Sequence, residues 1–286
     1  MTTVSFEFFP PKSLPASFRL WDTIRTLAPL DPSFVSVTYG AGGTTRELTH
    51  EAVTTIGKHY GLEVAAHLTC VDASREETLA IARSYADAGV RQLVALRGDP
   101  SDASTGFRPH PEGFADSCEL VSALAEAGDF EIRVGAYPDP HPDAAHDGAD
   151  VEWLKRKIDA GATSAITQFF FEPETFFRFR DACVAAGIDA PILPGILPIE
   201  NWAGTARFAA RCGAHVPEWV PRAFETAERD GSADVLATAL CTDLCTELLE
   251  GGVEHLHFYT LNKPFLTRDV VHALGLAPPA ALENVA

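Results

Sequence analysis

Strand-like apolar runs alternate with helix-like runs along the whole chain, and this alternation limits the possible folds more than any other feature. The strand-like runs are Val4–Phe9, Phe34–Tyr39, Glu63–Cys70, Gln92–Leu96, Glu131–Tyr137, Ser164–Phe170, Pro191–Leu197 and His255–Leu261. Helical pattern follows each of them. It begins at Ser13, spans about 45–59, and opens again at Asp72-Ala-Ser-Arg-Glu-Glu77, which reads as a capped helix start. Further stretches lie near 114–127, 150–160 and 173–186, then at 200–211, 217–229 and 232–250 ahead of the last strand, and at 264–274 after it. Gly40, Gly42 and Gly43 end the second strand. Pro138-Asp-Pro-His-Pro142 ends the fifth, because proline supplies no backbone donor.

Strands alternating with helices build parallel sheets, which are buried on both faces and read as nearly continuous apolar runs. The pattern predicts an α/β protein: one (β/α)8 barrel domain over 1–286, with extra helices before the last strand and a frayed tail at 277–286. An open doubly wound sheet is the alternative. It would announce a dinucleotide site by GxGxxG after the first strand, whereas Phe-Phe-Pro-Pro stands there and Gly40-Ala-Gly42-Gly43 has other spacing.

Charge removes several function classes. Forty acidic residues against 22 Lys and Arg give a net charge of −18, which repels nucleic acid and anionic membrane. The apolar runs are far shorter than a membrane span. Cys70, Cys118, Cys183, Cys212, Cys241 and Cys245 form no CxxC and read as small hydrophobes in a reducing compartment. Three residues precede the first strand, with no charged leader, so the expected location is the cytoplasm.

In such a barrel the chemistry sits at the carboxyl ends of the strands. Those ends offer Glu7, Thr38, His67, Thr69, Arg97, Asp99, Tyr137, Gln168 and Asn262. Glu7 lies between Phe6 and Phe8. Pointing inward, it would have its pKa raised by burial and serve as a general acid; the alternative is a carboxylate paired with Arg or Lys. Asp99 follows Gly98, which would let a ligand approach the backbone; Asp-Pro is equally a turn element. Gln168 can read a heterocycle edge or be a core amide satisfied by backbone. Lys155-Arg156-Lys157, read as opening the helix after the fifth strand, is a solvated face or a phosphate grip. His141 and His146 lack metal-ligand spacing, so no metal is expected, and there is no P-loop or GxSxG.

Eight ordered segments carry a resemblance: Ser5-Phe-Glu-Phe-Phe-Pro-Pro11, Phe34-Val-Ser-Val-Thr-Tyr-Gly40, Ala66-His-Leu-Thr69, Ala95-Leu-Arg-Gly-Asp99, Ala136-Tyr-Pro with His141-Pro, Ile166-Thr-Gln-Phe-Phe-Phe171, Leu193-Pro-Gly-Ile-Leu-Pro198 and His257-Phe-Tyr-Thr-Leu-Asn262. Together, from about Ser5 to Gly275, they resemble the catalytic domain of bacterial-type methylenetetrahydrofolate reductases. The resemblance implies a barrel enzyme that reduces 5,10-methylenetetrahydrofolate to 5-methyltetrahydrofolate with NADH or NADPH, usually through FAD. By match, Glu7 would open the imidazolidine ring as general acid, Asp99 would hold the pterin and tune the redox centre, and Gln168 would contact pterin and nicotinamide. Phe208 would stack on ligand and Lys263 would meet the folate glutamate. The flavin set would be Thr38, His67, Arg97, Gly98, Asp99, Tyr137, His141, Ala144, Asp150, Arg156 and Lys157.

Two places depart from the family pattern. Asp116 and Ser117 stand where Tyr-Ala is usual, and Trp153 stands where Asn is typical. A carboxylate disfavours a pyrophosphate and an indole fills cofactor volume. Two routes therefore stay open, hydride through bound FAD or hydride directly from the nicotinamide. A non-catalytic folate-binding barrel is a third reading, opposed by the joint presence of Glu7, Asp99 and Gln168. The N-terminal extension often seen in the family is not matched, which leaves the oligomer open, a monomer included.

Overall fold

The computed structural model describes residues 2–40, 45–99 and 107–278. The elements in order are β1 (Thr3–Phe8), α1 (Leu14–Leu27), β2 (Phe34–Val37), α2 (Arg46–Tyr60), β3 (Val64–Thr69), α3 (Arg75–Asp87), β4 (Gln92–Leu96) and α4 (Ser117–Ala127). They continue as β5 (Glu131–Ala136), α5 (Ala149–Asp159), β6 (Ser164–Thr167), α6 (Pro173–Ala185), β7 (Ile192–Leu193) and β8 (Gly195–Ile196). The last are α7 (Trp202–Cys212), α8 (Trp219–Arg229), α9 (Ala233–Glu250), β9 (His255–Tyr259) and α10 (Pro264–Ala273).

All ladders are parallel, in the order β7-β6-β5-β4-β3-β2-β1-β9-β8. β7 and β8 are two halves of one stave interrupted at Pro194, which has no N–H to give the ladder. Its carbonyl still accepts from His257 N at 3.0 Å. Because β7 pairs with β6 and β8 with β9, the chain carries the barrel across the gap. The (β/α)8 architecture is thus the one expected, with three helices, α7, α8 and α9, where the repeat needs one before the last strand.

The strands end earlier than their apolar runs. Tyr39, Phe169, Phe170 and Leu261 lie past the ladders. Phe169 and Phe170 are nevertheless buried, each in a side-chain cluster, so their hydrophobicity reports packing and not pairing. Gly42, Gly43 and the tail from 279 onward lie outside the described residues.

β1 explains an oddity of the sequence. Val4, Phe6 and Phe8 face the helices and are buried in the outer core. Thr3, Ser5 and Glu7, on the alternate positions, face the barrel axis, as period-2 geometry requires. β9 does the same, with Leu256 and Phe258 outward and His255, His257 and Tyr259 inward. The barrel interior is therefore largely polar along these two strands, and they read as alternating instead of continuously apolar. Elsewhere Phe34, Ala65, Val94 and Ile166 fill the axis with an inner apolar cluster. Helix starts follow their caps: Ser13 accepts from Ala16 N at 3.3 Å, and Ser74 with Glu77 forms a capping box.

Candidate active site

Two adjoining cavities open at the carboxyl ends of the strands. The first, about 760 Å³, is lined by Glu7, Thr38, His67, Gln168, Phe208 and Tyr259, among others. The second, about 530 Å³, is lined by residues that include Arg97, Asp99, Asp116, Tyr137 and Trp153. Leu96, Gly135 and Tyr137 belong to both walls, so these are two lobes of one site.

Glu7 sits on the floor of the first lobe. Its Oε2 is 3.2 Å from His67 Nε2 and 3.9 Å from His257 Nε2. Both nitrogens are buried, and neither has a hydrogen-bond partner of good geometry among the described residues. The expectation of a raised carboxyl pKa does not hold. Burial does push it up, but the polar N–H groups and charge of the nearby His257 and His67 imidazoles outweigh burial and lower the pKa to about 2. The partner is imidazole, which the choice between a free carboxyl and an Arg or Lys pair did not include. His257, wholly buried, has its own pKa lowered, chiefly by desolvation.

Gln168 lines the first lobe, and its Oε1 accepts from Phe169 N at 3.1 Å. Phe208 also lines this lobe, stacked on Phe169 with ring centroids 5.2 Å apart. Asp99 lines the second lobe, so the two polar strand-end residues face neighbouring compartments. Lys263 is exposed at the start of α10 and is not among the lining residues; the cations of the first lobe are Lys12, Arg19 and Arg211. These three escaped the sequence reading. Arg211 was within reach of it, because three positions after Phe208 on a helix is the same face.

The residues matched to a flavin divide. Thr38 and His67 line the first lobe, while Arg97, Gly98, Asp99, Tyr137, His141, Ala144, Asp150 and Lys157 line the second. Arg156 lines neither, and is packed over Trp153 at 4.1 Å and 3.6 Å from Asp116 Oδ2. Lys155-Arg156-Lys157 does not open its helix but lies in the later turns of α5. There Lys157 is buried, donates to the Gly135 carbonyl, and has its pKa lowered to about 8, chiefly by desolvation. Gly98 lines the second lobe and has a packing reason besides the expected one. Its φ is +84°, and a Cβ would lie 2.6 Å from Val71 and 2.7 Å from Thr69, so packing alone demands glycine.

The second lobe does not suit a flavin pyrophosphate. The N-terminus of α4, a natural phosphate seat, is taken by the Asp116 carboxylate, which accepts from Cys118 N at 2.8 Å and Glu119 N at 3.0 Å. Asp99, Asp143 and Asp150 also line the lobe, and its Arg97 is held by Asp143 at 3.1 Å. Trp153 stands in the wall. Among the described residues, no group of three or more His, Cys, Asp or Glu could hold a metal ion, and no helix is long and apolar enough to cross a membrane.

The family model for methylenetetrahydrofolate reductase matches residues 1–275. A protein of Pectobacterium carotovorum named 5,10-methylenetetrahydrofolate reductase is 46% identical over 97% of this chain and 92% of its own length. One of the same name from Escherichia coli (strain K12) is 45% identical over 96% of this chain and 91% of its own. A solved structure from Clostridium thermocellum, described as binding two copies of 5-methyl-5,6,7,8-tetrahydrofolic acid, matches with a TM-score of 0.62 at 12% identity. It covers 95% of this chain and 94% of its own, a likeness of fold.

Proposed function

The chain belongs to the methylenetetrahydrofolate reductase family, and on that premise we propose that it reduces 5,10-methylenetetrahydrofolate to 5-methyltetrahydrofolate in the cytoplasm, with hydride passing directly from NADH or NADPH. The observation that carries the reading is a carboxyl group, Glu7, held on the floor of the larger lobe by two imidazoles and facing a cavity that also presents Gln168 and Phe208.

Folate enters the first lobe with its pterin toward Gln168 and its ring nitrogens over Glu7. Seating the substrate displaces water from the carboxyl, which favours its neutral form. Glu7 then gives a proton to N10. The C–N10 bond breaks with its electron pair going to nitrogen, and the methylene carbon becomes an iminium with N5. Hydride adds to that carbon and gives the methyl group. The nicotinamide must lie about 3–3.5 Å from the carbon for this step, so both substrates occupy the site together. Asp99, on the neighbouring wall, accepts from pterin N–H groups. Lys12, Arg19 and Arg211 give the folate carboxylates a local positive field within an acidic protein. FAD is not assigned a step, because Asp116 and Trp153 line the lobe it would need.

Glu7→Gln tests the assignment. Folate affinity should stay within a few-fold while reduction falls by about 10²–10⁴, the usual worth of a general acid. Near-normal turnover in that variant at neutral pH would remove Glu7 from the role.

A further inference from the structure

Each turnover of the proposed reaction consumes one proton at Glu7, while folate and nicotinamide cover the upper mouth of the barrel. The barrel interior holds a second way to the carboxyl. In the parallel register of β1 and β9, Thr3 faces His255, Ser5 faces His257 and Glu7 faces Tyr259. The side chains interleave. Thr3 Oγ1 lies 2.7 Å from His255 Nδ1, Ser5 Oγ lies 2.7 Å from His255 Nε2, and the same Oγ lies 2.7 Å from His257 Nδ1. His257 Nε2 then points toward Glu7 Oε2 at 3.9 Å, with no other partner among the described residues. Ser5 and His257 are fully buried, and both imidazoles lie flat against Phe34, at 5.6 and 5.7 Å.

At the other end Thr3 is exposed. With His255, Arg180 and Glu254 it lines a cavity of about 440 Å³ at the amino-terminal mouth, opposite the substrate lobes. Four residue steps along the strand separate Thr3 from Glu7, roughly 13 Å at about 3.3 Å per step.

We propose that Glu7 is reprotonated from the amino-terminal mouth of the barrel, along Thr3, His255, Ser5 and His257, with His255 receiving the proton from water in the lower cavity by way of Thr3.

The wire balances. Thr3 O–H donates to His255 Nδ1, His255 Nε2–H to Ser5, Ser5 O–H to His257 Nδ1, and His257 Nε2–H points at the carboxylate. Each group passes its proton one place forward, Glu7 becomes the neutral acid, and Thr3 takes a proton from hydronium in the lower cavity. A small swing of Glu7 away from His67 closes the last gap. Reorientation of the hydroxyls and return of the imidazoles to their starting tautomers reset the chain. Neutral imidazoles suit this, since each then carries one donor and one acceptor. Burial first, then the charges of His257 and Arg133, lower the His255 pKa to about 3. Arg133 stacks on Phe34 at 4.0 Å and is itself paired with Glu131 at 2.6 Å; Arg180 and Glu254 face the lower cavity, and Glu7 and His67 face the upper end.

The inference rests on Glu7 being the acid, and the test separates the two. His255→Ala and Ser5→Ala should each lower kcat about ten-fold or more, a part of the general-acid contribution, with folate KM within two-fold. Imidazole added to the assay should enter the space left in His255→Ala and restore its kcat in proportion to concentration. Ser5→Thr, which keeps the hydroxyl, should recover much of the kcat that Ser5→Ala loses, and so separates loss of the relay from loss of packing. A kcat within two-fold of wild type in both alanine variants overturns the route, as does a His255→Ala loss that imidazole leaves untouched. If either occurs while Glu7→Gln is still inactive, the route fails and the acid stands; an active Glu7→Gln removes the acid itself.

Discussion

Gln168 and Arg211 sit on opposite sides of legibility at the scale of single residues. Gln168 ends an apolar strand, and a strand end at the barrel mouth is where a polar side chain meets a ligand. Gln168→Leu should raise the KM for folate or nicotinamide, because a buried polar group of the ligand loses its partner at a cost of about 1–3 kcal/mol. Steady-state kinetics with each substrate varied in turn reads the effect, and unchanged constants would make Gln168 a core amide. Arg211 lies on a helix remote in sequence from every strand end, yet it lines the same lobe. Lys263, singled out by resemblance, is exposed beyond that lining. Arg211→Ala should therefore raise the folate KM more than Lys263→Ala does, most visibly with polyglutamylated substrate, and the reverse order would return the glutamate contact to Lys263. The pKa of Glu7 escaped the sequence reading for a related reason. Its sign is set by His67 and His257, and only the folded register brings His257 to Glu7. The one available signal was the alternation of Ser5 and Glu7 with phenylalanines, matched by His255 and His257 in the last strand.

Elements were the most legible scale, because alternation of strand and helix patterns depends on composition over many residues and not on any single contact. What escaped was how the ring closes. Gly195 shows why. A Cβ there would lie 2.1 Å from the Thr167 carbonyl and 2.5 Å from the Tyr259 ring. Tyr259 crosses at this point to donate to Thr167 O at 2.6 Å. Gly195→Ala should cost about 1–3 kcal/mol or more, since backbone must move. Thermal unfolding should show a Tm several degrees lower, and an unchanged Tm would show that the stave can shift freely. α5 holds a pH-dependent counterpart. Lys157 has a folded-state pKa near 8, below its ordinary 10.5, so the unfolded chain binds the proton more readily over that interval. Stability therefore rises with pH between about 8 and 10.5 on account of this group, and its burial is a penalty below 8. Wild type should gain stability relative to Lys157→Met as pH is raised from 7 to 10 (approximate values chosen to span that window). A constant difference in Tm across those two conditions would mean the amine keeps its proton throughout.

At the scale of the whole molecule, a barrel carrying a net charge of −18 places its polar interior between two mouths, with three cations gathered at the upper lobe. The same acidity is the ground for the hydride route proposed above. Asp99, Asp116, Asp143 and Asp150 surround the second lobe. Asp116 occupies the α4 N-terminus that could have met a phosphate, and Arg156 is turned to Trp153 and Asp116 instead of to the lobe. A flavin bound there would forfeit the usual anion seat and meet an indole in the wall, where stacking offers only about 1 kcal/mol. Direct transfer asks only that the nicotinamide ring reach folate from the adjoining lobe, with the pyrophosphate of NADH or NADPH lying away from the α4 N-terminus. Freshly purified protein should therefore be colourless, without the ~450 nm band of a flavin. Initial rates with both substrates varied should give intersecting double-reciprocal lines, the mark of a complex holding both at once, and added FAD should leave kcat unchanged. Stoichiometric FAD surviving dialysis, together with parallel lines, would overturn this. Asp116 and Trp153 would then be tolerated around the cofactor, and the matched residues from Thr38 to Lys157 would be its true cradle.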